Sequence, residues 1–177
     1  MNGVSASDVT VMNMTLSQAE DAIIKGSVDA IVNWQPYSNS VEDNLGSNAV
    51  VWSVQSSQQS FGVLTCRTDW IAANPEVVKQ FLKSLAQAEE FVNENPAQAK
   101  VIVKEQMNFT DAHMETVWSQ NQFSLSLDQS LIGALEDESR WMISNNLTDK
   151  TAVPNFLDYI YLDGLISVKP ESVNIIH

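Results

Sequence analysis

Apolar positions in the first sixty residues fall in short dense runs separated by helical spacing. Val9, Val11 and Met12 alternate with polar neighbours, Val28 to Val32 are almost continuously apolar, and Ala49, Val50, Val51, Trp52 and Val54 form a third run. Such β-branched and aromatic runs predict strands at 8–12, 28–33 and 49–54. Between the first two, Thr15 and Gln18 stand at capping-box spacing. Leu16, Ala19, Ile23 and Ile24 share one helical face behind them, and Gly26 is placed to end that helix. A strand–helix–strand order predicts a parallel pair with a right-handed crossover. Pro36 then opens a second helix that runs to Leu45 and Gly46, since a proline at a helix start forfeits an N–H that would be unpaired there anyway.

Residues 55–60, Gln-Ser-Ser-Gln-Gln-Ser, contain no apolar side chain. One further strand is predicted at 61–65, and after it the spacing turns helical. From Pro75, with Asn74 as N-cap, Val77, Val78, Phe81, Leu82, Leu85, Ala88, Phe91 and Val92 trace one face. Pro96 starts another helix, Thr110 caps a third, and Leu127, Leu131, Ala134, Leu135, Trp141 and Met142 mark a fourth. Short helices are predicted at 156–161 and 164–168. The class is therefore α/β, helix-rich in the second half. A lone strand leading a set of helices cannot build a sheet by itself. The chain is accordingly expected to be incomplete as a fold, and to associate through unpaired strand edges as a homo-oligomer.

The charge balance narrows the partners. With 22 acidic and 9 basic residues the formal net charge is −13, which opposes binding to nucleic acid or to anionic membrane surfaces. No apolar run reaches the ~20 residues of a membrane span. Met1-Asn2-Gly3-Val4-Ser5 shows neither a basic nor an apolar leader pattern, so no signal peptide is expected within the chain.

Catalytic chemistry finds no support. Cys66 is the single cysteine; it excludes an intrachain disulfide, and its apolar run predicts a buried, inert thiol. His113 and His177 have no metal-ligand spacing. No nucleophile elbow, P-loop or dinucleotide fingerprint is present. No metal or cofactor is expected, and the chain is not expected to be an enzyme. Glu136 and Asp137 read as a solvated helix face, whereas Glu138 falls on the apolar stripe and would need a partner there.

One turn combines several functional residue types. Trp34, Gln35, Pro36 and Tyr37 follow the 28–33 strand directly, and in open α/β sheets the carboxyl ends of strands are where ligands bind. Both aromatics could equally cap a core.

The run Lys25-Gly26-Ser27-Val28-Asp29-Ala30-Ile31-Val32-Asn33-Trp34-Gln35-Pro36-Tyr37 resembles the G-x-x-D-A-x-x-x-W-x-P strand–turn of periplasmic substrate-binding proteins. The subgroup is the nitrate/sulfonate/taurine one, related to thiamine-pyrimidine synthesis proteins. Phe61-Gly62-Val63-Leu64, with Trp70 through Leu82, resembles that family's hinge strand and N-P-x-x-V-x-x-F-L helix; Ala88 through Ala99 is a third match in the same order. The resemblance implies the C-terminal portion of a two-lobe, type II binding-protein fold. Residues 1–55 would belong to the second lobe, 56–60 to the hinge, and 61–177 to the first lobe. It implies a solute receptor of an ABC importer, periplasmic or membrane-anchored outside the cell, with a transporter permease as partner of the full-length protein. The ligand would be a small anionic, nitrate- or sulfonate-like, or heterocyclic molecule. The resemblance turns Trp34 toward the ligand and leaves Tyr37 open, with Gln35, Pro36 and Ser60 as further candidates. The Pro36 helix start would suit an anion, because helix N-termini present free N–H groups. Two other readings are a ligand-sensing module of a signalling protein and a protein of pyrimidine synthesis outside transport.

Overall fold

The structure, a computed structural model, describes residues 5–52 and 60–176. The chain separates into two compact units. One comprises residues 1–56 together with 109–120, the other 57–108 together with 121–177. The polar stretch expected to act as a hinge lies, apart from Ser60, outside the described residues.

In the first unit, α1 (Leu16–Ile24) and α2 (Tyr37–Leu45) pack on one another. The predicted capping box forms. The Gln18 N–H donates to Thr15 Oγ1 at 3.3 Å and the Thr15 N–H donates to Gln18 Oε1 at 2.9 Å. Gly26 closes α1 with a positive φ of 69°, as the N–H groups of Gly26 and Ser27 return to the carbonyls of Ile23 and Ala22. Ala22 and Val41 are buried, and the Ser40 hydroxyl donates to the Glu20 carboxylate to tie the two helices together. The same unit takes in α6 (Asp111–Gln120), whose Met114 is buried. Thr110 caps α6 as predicted, its Oγ1 accepting the His113 N–H at 3.2 Å.

The second unit is built on α4 (Pro75–Glu94), against which α5 (Pro96–Met107) and α8 (Leu162–Ile166) pack. The short α3 (Thr68–Ala73) leads into α4. Asn74 stands at the junction, but its side chain does not cap α4; its amide donates to the Trp70 carbonyl at 2.9 Å and so ends α3. Gly164 lets α8 approach α4 closely. A Cβ there would lie 2.9 Å from Leu82 Cδ1 and 2.8 Å from Tyr161 Cε1. Lys169 donates to both carboxylate oxygens of Glu89 at 2.6 and 2.7 Å in a partly buried pair. The fourth predicted helix is α7 (Gln129–Ser144), with Leu131, Ile132 and Ala134 buried. Glu138 is exposed, so its place on the stripe demands no partner. The C-terminal segment folds back on the start of α7. The Leu127 N–H donates to the Ser172 carbonyl at 2.9 Å, and the Asn174 N–H to the Leu127 carbonyl at 3.1 Å.

The sheet half of the α/β expectation does not form among the described residues. The only β pairing there is the isolated parallel bridge between Leu127 and Val173. Of the predicted strands, residues 9–12, 30–33, 49–52 and 61–65 run as chain without a ladder, Asp8 ends a short 3-10 turn, 28–29 lie in a bend, and 53–54 lie outside the described residues. The reason is physical: a strand exists only against a neighbour that accepts and donates its backbone hydrogen bonds. Without one, side chains patterned for a sheet stay in solvent, with Val11 89%, Val32 78% and Val50 77% exposed. Cys66, expected to be buried in such a strand, is exposed for the same reason.

Candidate functional site

Residues 33–40 make a turn whose backbone N–H groups are largely paired. The Asn33 Oδ1 accepts the Trp34 N–H at 2.9 Å. The Trp34 carbonyl accepts from Tyr37 at 3.0 Å and from Ser38 at 3.4 Å. The Gln35 side chain then meets Asn39 twice. Its Nε2 donates to Asn39 Oδ1 at 2.7 Å, and its Oε1 accepts the Asn39 N–H at 3.3 Å. Asn39 is buried, and the Gln35–Pro36 peptide is cis.

This bonding corrects the expectation of an anion site at the start of α2. A helix N-terminus attracts anions through unpaired N–H groups. Here Pro36 has none to offer, Tyr37 and Ser38 donate to Trp34, and Asn39 donates to Gln35. The surrounding sequence adds no positive charge: residues 20–45 hold five acidic side chains and one basic, Lys25, which pairs with Asp21 at 2.9 Å.

The candidate residues therefore take different places. Trp34 is 64% exposed, with its backbone fixed from both sides. Gln35 faces Asn39 and orders the turn, while Pro36 and Tyr37 are half-buried. Ser60 is exposed and belongs to the other unit.

Asn33 is the residue that pattern reading passes over. Its Nδ2 is shut off from solvent and has no hydrogen-bond partner. An unpaired buried donor costs about 1–3 kcal/mol, and native proteins retain few of them. Nothing in the spacing 28–34 marks it, because an asparagine at a strand end reads as turn chemistry. His113 Nε2 is orphaned in the same way; its ring stacks on Phe109 with centroids 4.4 Å apart.

In the second unit an open cavity of about 520 Å³ is lined by Cys66, Arg67, Asp69, Trp70 and Ala73. Arg67 is tied to Asp69 through two hydrogen bonds of 2.9 and 2.6 Å. This pairing holds the exposed Asp69 carboxyl below its usual range. Among the described residues no group of three His, Cys, Asp or Glu side chains could hold a metal, and no helix is long and apolar enough to cross a membrane.

Proteins of Brucella abortus, Brucella suis and Brucella melitensis, provisionally named as binding proteins, are each 26% identical to the chain over 120 residues. Those residues are 64% of this chain and 37% of each relative, so the chain spans well under half the length of the curated relatives it matches. No solved structure matches it. The profile described as NMT1/THI5 like matches residues 1–99, more than half of the 177, and the chain belongs to that family.

Proposed function

We propose that this chain is the C-terminal portion of a two-lobed solute receptor, the capturing component of an ABC importer working in the periplasm or anchored outside the cell. The receptor takes a small solute, heterocyclic rather than anionic at the Trp34 turn, and hands it to a membrane permease. It performs no reaction. Family membership and the names of the relatives point to binding rather than catalysis. Capture proceeds by closure of two lobes about a hinge in the complete receptor.

The observation that carries this reading is Trp34. A large aromatic ring left in solvent gains contact area when a flat or aliphatic group stacks on it. A backbone fixed before the ligand arrives lowers the ordering cost of that contact. Gln35, Pro36 and Tyr37 are the further contacts of the proposal.

Trp34→Ala tests it. Isothermal titration with nitrate, taurine and cytosine as probes, on the full-length receptor, is expected to show affinity weakened by about 1–3 kcal/mol for the probe that binds. Equal affinity in a variant with an unchanged circular dichroism spectrum removes Trp34 from the site.

A further inference from the structure

We infer that residues 61–65 are a self-association site, at which a second copy of this chain adds its own 61–65 segment as an antiparallel strand. The inference is independent of the reading of Trp34 and assigns one segment to the meeting of two copies.

Four apolar segments form no ladder among the described residues, and charge separates them. The segment at 9–12 follows Asp8, and the run 28–33 contains Asp29. An acid at an open edge repels the same acid on an approaching copy, a common protection of such edges. From Asn44 to Cys66 no residue is charged, the longest such stretch in a chain of net charge −13. Copies that repel one another elsewhere can approach there. Of the two described segments inside it, 61–65 is the longer. Phe61-Gly62-Val63-Leu64-Thr65 is rich in strand-forming side chains and has no proline to withhold a backbone N–H.

The segment is open on both sides. Successive side chains of an extended chain point to opposite faces. Val63 and Leu64 are 55% and 67% exposed, so neither face is covered. The chain as a whole exposes 13336 Å². Two separate folded bodies of the sizes of its units would expose about 10,300 Å² between them. The difference exceeds the roughly 800 Å² that each partner hides in a stable interface. Complete overlap of 61–65 with its copy centres an antiparallel pair on Val63, with Phe61 opposite Thr65 and Gly62 opposite Leu64. That arrangement has a two-fold axis, so each copy presents the same patch and the contact closes on itself.

Light scattering of the 177-residue chain at micromolar concentration is expected to give twice 19.6 kDa. Val63→Asp sets two like charges against each other at the centre of the pair. It is expected to raise the dimer dissociation constant at least about tenfold. Val11→Asp, an equally exposed change in a segment that already follows an acid, is expected to dimerise like the parent, and both variants to keep its circular dichroism spectrum. A spin label on Cys66, the single cysteine and an exposed one, reads the unmutated segment. Antiparallel pairing centred on Val63 separates the two labelled backbones by about 20 Å, and parallel pairing in register by about 5 Å. The longer distance is expected. A monomeric parent overturns the inference and means that something other than a second copy covers the segment. Dimers unaffected by Val63→Asp, or weakened as much by Val11→Asp, overturn the assignment to 61–65. A separation near 5 Å overturns the antiparallel arrangement.

Discussion

Gln35 and Asn39 hold each other by two hydrogen bonds, of 2.7 Å between their side chains and 3.3 Å from the Asn39 backbone to Gln35 Oε1. The pair does the work of an N-cap for α2, whose cap residue, Pro36, has no side chain able to accept. It also keeps the buried Asn39 satisfied. Replacing Gln35 by Leu removes both bonds and strands the Asn39 groups. The expected loss is about 1–3 kcal/mol in chemical denaturation. A variant as stable as the parent would free Gln35 from this structural duty.

Gly164 is expected to resist even the smallest side chain. A methyl group there would sit inside van der Waals contact with Leu82 and Tyr161. Overpacking of this sort costs about 1–3 kcal/mol. Gly164→Ala should lower the melting temperature, and adding Leu82→Ala should recover less than the whole loss, since Tyr161 still crowds the site. A Gly164→Ala protein that melts with the parent would mean α8 can slide on α4.

Acid is expected to loosen the C-terminal segment through Asp128. Hydrogen bonds from the Ser130 hydroxyl and N–H, and then from the Asn174 amide, hold its carboxyl below the usual range. A carboxyl whose folded-state pKa is depressed contributes stability above its unfolded value of about 4 and loses it as the pH falls through the folded value. Asp128→Asn should therefore flatten the acid limb of the stability curve below about pH 4 and leave its slope near neutrality unchanged. Parent and variant tracing parallel acid limbs would count against Asp128 as the titrating group.

Association is the expected behaviour of the purified chain. Among the described residues, four extended apolar segments form no ladder, and such edges offer backbone donors and acceptors to another copy. Exchange of such elements between identical chains is a low-cost route to oligomers. Light scattering at micromolar concentration should give a mass above one chain. A monodisperse species at 19.6 kDa would show that the extended segments remain unpaired in solution.

What the amino-acid sequence determined by itself is local. The α1 capping box and its glycine stop, the long amphipathic α4, the proline starts of α4 and α5, and the Thr110 cap all depend on residues within one or two turns. The turn at Trp34-Gln35-Pro36 and the start of α2 behind it were likewise legible, because they sit in one contiguous run. Tertiary structure decided whatever needed a distant partner. The apolar runs at 9–12, 30–33 and 49–52 have strand composition, yet a strand is a property of a pair and no ladder reaches them among the described residues. Asn74 and Gln35 carried one residue type each and two available bonding partners; geometry gave Asn74 to the helix before it and Gln35 to Asn39. Asn33 was invisible for the deepest reason. An unpaired donor is defined by what does not surround it, and only the folded chain can show that.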